Sequence, residues 1–170
     1  MATTIVNGLS VQGIQDMVKM VKAQPQVAKA VFYATTVWKG GFHNEATVKA
    51  FSMGGERNDS RKQAFTIVGD HPKELLGTDK GPSSVEVLLS ALGHCLASGW
   101  AMYGAHMGIP IERLRVEVEG DIDLQGMLNL TQPGAVAPGF QEIRAMYYVK
   151  SGRNYPRPGT HCGRSNSPPV

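Results

Sequence analysis

Between Glu86 and Glu112 the sequence carries no Asp, Glu, Lys or Arg. This uncharged run, opened by Gly81-Pro82-Ser83-Ser84 and closed by Gly108 and Pro110, constrains the fold more than any other feature. Its start and stop residues predict one long helix over 81–110. Ser83 and Glu86 have the S-x-x-E spacing of a capping box. A helix apolar on all sides is buried, in a protein core or in a bilayer. Two histidines and two serines in the run, and the lack of an aromatic belt or polybasic flank, point to a core and not a membrane. Gly93, Ala97, Ala101, Gly104 and Gly108 recur three or four apart, a stripe of small residues against which another element can pack closely. Cys95 lies off that stripe. At roughly 100° per residue it shares a face with Leu88, Met102 and His106.

The flanking segments read as a soluble α+β chain. Val11, Ile14, Met17, Val18 and Val21 keep helical spacing behind a Ser10 cap, giving an N-terminal helix over 10–24 that Pro25 closes. Residues 29–38 and 42–52 form a hairpin around Lys39-Gly40-Gly41. Residues 53–62, MGGERNDSRK, read as a mobile loop, and 63–69 as a third strand. After the long helix, LRVEVEGDID turns Leu114, Val116 and Val118 to one face. A Pro/Gly loop follows, and 141–150 alternates again, with Ile143, Ala145, Tyr147 and Val149 on one face. The tail 151–170 has four prolines and no periodicity, so it reads as irregular. The order of elements gives one domain over 1–150, mostly antiparallel strands covering a central buried helix.

Charge and cysteine usage exclude several function classes. Net charge is +3, and Arg153, Arg157 and Arg164 of the tail account for it. A neutral body has no nucleic-acid footprint. Two cysteines 67 positions apart form neither a disulfide scaffold nor a C-x-x-C zinc site. The first residues show no basic start or apolar run, so a cytoplasmic, reducing location is expected. No metal or cofactor is expected. Cys95, His94 and His106 lack ligand spacing, since His106 is roughly 16 Å along the axis from Cys95 at 1.5 Å per residue.

The chain resembles the OsmC/Ohr superfamily, osmotically induced protein C and the organic hydroperoxide resistance proteins. The likeness spans about residues 30–150. It rests on TTVWKGGF, DHPKELLGTDKGPSSVEVLLSALGHCLASGWAM, IPIERLRVEVEGDIDLQG and PGFQEIR, the G-x-x-x-G-P lead-in to a cysteine-centred helix being the most specific part. The resemblance implies an intertwined homodimer whose sheets enclose the central helices. It also implies thiol-dependent reduction of organic hydroperoxides, with an external thiol reductant if no second cysteine serves. Cys95 occupies the peroxidatic position. A free cysteine in a helix is equally a small inert hydrophobe, so its role turns on what surrounds it. Leu88, Met102 and Trp100 are the expected apolar pocket lining.

Several positions depart from the family pattern. The family glutamate falls ten residues before the cysteine, which here is Val85, with Glu86 one position later. The hairpin has no arginine, so Arg57 and Arg61 of the following loop are the basic candidates. The resolving cysteine is replaced by Ser167, with Cys162 five residues earlier. The second core helix that relatives place after the last strand is missing from the C-terminus. The alternative reading is a non-catalytic dimeric protein that binds an apolar small molecule in its interface pocket.

Overall fold

The computed structural model describes residues 4–152. Cys162, Ser167, Arg153 and the expected loss of a second core helix lie outside the described residues. The chain opens with strands β1 (Ile5–Val6) and β2 (Leu9–Ser10), an antiparallel pair joined by Asn7-Gly8. Both turn residues have positive φ, 53° and 77°, the geometry that an Asn-Gly pair favours in a tight hairpin. Helix α1 (Val11–Ala23) follows directly. The Ser10 side chain accepts a 3.0 Å hydrogen bond from the Gly13 amide, as the cap reading required. Pro25 opens a short 3-10 turn that ends the helix.

The expected single hairpin divides into two sheets. Strands β3 (Ala30–Phe32), β4 (Thr35–Gly40), β5 (His43–Val48), β6 (Phe51–Met53), β7 (Glu56–Asn58) and β8 (Phe65–Gly69) form two three-stranded antiparallel sheets, ordered β4-β5-β8 and β3-β6-β7. The inner ladder ends at Thr35 opposite Thr47, and the outer one resumes at Phe32 opposite Phe51. One arm therefore holds one more residue than the other between these pairs. Such an unmatched residue breaks the ladder and bends the ribbon. The loop expected over 53–62 is largely structured. Gly54-Gly55 supplies two left-handed residues, at φ 57° and 90°, and β7 folds back on β6 with Met53 opposite Glu56.

Helix α2 (Ser84–His106) is the long helix, shorter at both ends than the sequence reading. Strand β9 (Ile111–Ile122), a short helix α3 (Leu124–Met127) and strand β10 (Phe140–Ser151) complete the described chain. In the β9–β10 hairpin Val118 pairs with Ala145, Val116 with Tyr147 and Leu114 with Val149, so both alternating patterns put their apolar residues on one face. That face packs against α2, with the Trp100 and Tyr147 rings 5.7 Å apart. The opposite face is a charged ladder in which Arg144 pairs with Asp121, Glu119 and Glu142.

The fold is α+β with antiparallel sheets and a long helix, as the element order implied. The expected burial of that helix is not met within one chain. Only Gly104 and Ala105 of α2 are buried. The hairpin β9–β10 covers one side, and β1, β2 and α1 cover its C-terminal half. The two three-stranded sheets make little contact with it. By length and apolarity α2 would suit a membrane span, a property that the core helix of a soluble protein shares.

Candidate functional site

Twelve residues before α2 begin to fix how it is presented. The Asp70 carboxylate is buried, 2% exposed, at the end of β8. Oδ1 accepts from the His71 amide at 2.8 Å, and Oδ2 accepts from the amides of Thr78 and Lys80 at 3.2 Å and from the Thr78 hydroxyl. The Thr78 hydroxyl, with the backbone donors, holds this carboxyl well below the usual carboxylate range against the opposing effect of burial. One anion therefore gathers the 70–81 loop around itself. His71 stacks flat on Phe42 at 4.3 Å, pinning the loop to the β4–β5 turn. Both outer glycines of the G-x-x-x-G-P motif serve close approach. A Cβ on Gly77 would lie 1.8 Å from the His71 carbonyl oxygen, and one on Gly81 would lie 2.6 Å from that of Val68.

The loop delivers the chain into α2 through Ser83 and Glu86. The Ser83 amide and hydroxyl both donate to Glu86 Oε2 at 2.7 Å. The Ser83 hydroxyl first, then its amide, hold the Glu86 carboxyl below the usual range. Glu86 is thus an ionised capping group at neutral pH, not a poised acid. It also lines a groove of about 480 Å³ between α2 and β9, with Ser90, His94, Gly93, Ala97, Val116 and Val118.

Cys95 is an exposed free thiol at the middle of α2. No hydrogen bond or ion pair to it occurs among the described residues. Leu88, one face-repeat earlier, is half-exposed, and Met102, one repeat later, is partly exposed. Trp100 lies on the packed side of the helix, against Tyr147. His94 opens on the groove with Glu86, a different face from Cys95. Arg57 belongs to β7 of the β3-β6-β7 sheet, while Arg61 lies in the loop between β7 and β8. Arg57 Nε donates to Asp59 at 2.8 Å and its guanidinium lies 5.3 Å from the Tyr33 ring centre. Arg61 donates to the Lys49 carbonyl and lies 5.4 and 5.5 Å from the Phe51 and Phe65 rings. Neither is brought to Cys95 within one chain. Among the described residues no cluster of three or more His, Cys, Asp or Glu side chains is placed to hold a metal ion.

Sequence reasoning missed two organising residues, Asp70 and Asn7. The signal for the first is an acid directly before a His-Pro turn. The signal for the second is the Asn-Gly pair, a strong short-range hairpin sign.

Together these features define an α+β protein in which, among the described residues, one free thiol stands exposed at the middle of a helix that carries no Asp, Glu, Lys or Arg after Glu86. A family model described as OsmC-like protein matches residues 77–156, from the loop glycine through α2, β9 and β10. The matched segment, just under half of the chain, is similar to the OsmC-like family. No curated protein matches it.

Proposed function

We propose that the protein is an OsmC-like thiol peroxidase acting on organic hydroperoxides in a reducing compartment, and that it works as an intertwined homodimer. The observation that carries the catalytic reading is the placement of Cys95. It stands exposed at the centre of the apolar helix, on the same helical face as Leu88, within the segment that the family model matches. The Cys95 thiolate attacks the O–O bond of the hydroperoxide. Sulfur is oxidised to the sulfenic acid, and the alkoxide leaves as an alcohol on taking up a proton. An external thiol then condenses with the sulfenic acid, releasing water and leaving a mixed disulfide. A second thiol attacks that disulfide, restores Cys95 and departs as the oxidised reductant. Apolar neighbours favour an organic peroxide over hydrogen peroxide.

The dimeric reading is supported by surface area. The chain exposes 13,337 Å², against roughly 8,100 Å² for a folded monomer of its mass. Suppose the 21 residues outside the description had the surface of a fully extended chain. The rest would still exceed a monomer of its size by roughly 2,600 Å². That surplus matches what an obligate interface removes. The two three-stranded sheets, which scarcely touch their own α2, are the natural covers for a partner's. Arg57 or Arg61 would then approach a partner's Cys95 and favour its thiolate.

The test is reaction of the reduced protein with one equivalent of cumene hydroperoxide in the presence of a dimedone-type trap. Stoichiometric peroxide loss with label on Cys95, both absent in Cys95→Ser, supports the reading. A thiol inert to millimolar peroxide rejects it in favour of the apolar-ligand binding protein.

A further inference from the structure

Leu76 is the most exposed large apolar side chain among the described residues, at 86%. It also sits in left-handed backbone, φ 65° and ψ 19°, where it ends the 3-10 turn Lys73–Leu75 and its amide donates to the Lys73 carbonyl. Glycine is the ordinary occupant of such a position, because a side chain there strains against the backbone. The neighbouring glycine is already committed, since Gly77 passes against the His71 carbonyl with no room for a Cβ. The fold therefore carries a strained leucine that buries nothing in its own chain. Strain of this kind persists only where the surroundings over-determine it. Here the Asp70 carboxylate does so, through His71, Thr78 and Lys80.

We propose that Leu76 is a preformed anchor that inserts into a second copy of this chain. The inference rests on the homodimer reading and adds the residue that locks it. A rigid loop loses little conformational freedom on docking, so an apolar knob held this way binds more tightly than a mobile one. Exposed Lys73, Glu74, Asp79 and Lys80 flank the knob along the same loop, supplying the polar residues that a rim around an interface anchor needs. That rim has two charges of each sign. Its balance fits a self-complementary copy better than a strongly acidic or basic partner. The surplus surface derived above supplies the area that such a contact would close.

The experiment compares wild type, Leu76→Asn and Leu76→Gly by sedimentation over nanomolar to micromolar concentrations, with helix content followed by circular dichroism. Asn and Gly both accept left-handed backbone more easily, so each relaxes the isolated loop while removing the knob. A dimer weakened tenfold or more in both variants, with helix content regained at high protein concentration, supports the anchor. Wild-type affinity in the variants overturns it and leaves the dimer standing. So does a loss of structure that concentration does not restore. A wild type that sediments as a folded monomer at micromolar concentration overturns both.

Discussion

The corner where α2 turns into β9 depends on a side chain almost a hundred residues away. Asn7 Nδ2 donates to the Ala101 carbonyl at 3.3 Å and to the Ile109 carbonyl at 3.1 Å, and its Oδ1 accepts from the Ile111 amide at 2.8 Å. One amide and two carbonyls are bonded here by a single residue, which ties the last turns of the helix to the start of β9. Asn7 also holds φ at 53°. Replacing it with alanine removes three hydrogen bonds at about 0.5–1.5 kcal/mol each, the longest at the low end, and adds left-handed strain, for a total of roughly 2–4 kcal/mol. Asn7→Gly loses the same bonds without the strain and should fall roughly 1 kcal/mol short of alanine. Gly104 gives a second handle, because a Cβ there would meet Asn7 Nδ2 at 2.7 Å. Gly104→Ala should therefore be less damaging in an Asn7→Ala background, a coupling of roughly 1 kcal/mol. Urea unfolding at fixed protein concentration measures all four corners of this cycle, and exchange protection of the Ile111 amide reports the bracket directly. An Asn7→Ala variant within about 0.5 kcal/mol of wild type, or strict additivity with Gly104→Ala, would refute the bracket.

Other outcomes follow from the lead-in loop and from the assembly. Asp70 has a folded pKa below its ordinary 3.8, so its stabilisation is present above that value and is lost as pH falls below about 4. Asp70→Asn should therefore be less stable than wild type at pH 7 and should flatten the acid limb, as read by thermal melts across pH 2–7. Gly77→Ala drives a methyl into the His71 carbonyl and should cost upward of about 3 kcal/mol, with loss of the Phe42–His71 stack visible as a shifted His71 ring resonance. If a basic residue of one chain serves the thiol of another, peroxide consumption per Cys95 should fall on dilution through the dimer's dissociation range while the thiol stays titratable. A constant rate per thiol in protein that sediments as monomer would reject that arrangement.

Periodicity made most of the architecture legible. Alternation in 113–119 and 141–150 located β9 and β10, and Ser10 and Ser83 marked both helix starts, because caps and pleats are local. What failed was non-local. The split of one ribbon into two sheets depends on one unmatched residue between Thr35–Thr47 and Phe32–Phe51, which no periodicity within a single strand exposes. The Gly54-Gly55 turn was hidden by a charged, glycine-rich composition that reads equally as loop. The roles of Asn7 and Asp70 lie in what their side chains reach, 94 to 104 residues away for Asn7 and 1 to 10 for Asp70. For the site, the sequence located the thiol and the capping pair. It did not show that Arg57 stands on the β6–β7 hairpin, or that the guanidiniums of Arg57 and Arg61 are already laid on aromatic rings.

The one-position offset at Val85 and Glu86 has a structural consequence. A carboxylate at 86 is drawn back onto Ser83 by two 2.7 Å bonds, so it completes the helix start and is not available to donate a proton to a leaving alkoxide. The valine at 85 has no proton to give. With α2 free of charge from Val87 to His106, any cation that favours the Cys95 thiolate must come from another element. The described basic candidates, Arg57 on β7 and Arg61 just after it, belong to a region that makes little contact with that helix in its own chain. Fold and chemistry are thus assigned to different parts of the sequence. The Asp70 loop and the Ser83–Glu86 cap set the helix, the small-residue stripe and the hairpin hold one side of it, and the thiol is left exposed on a side that its own chain does not cover.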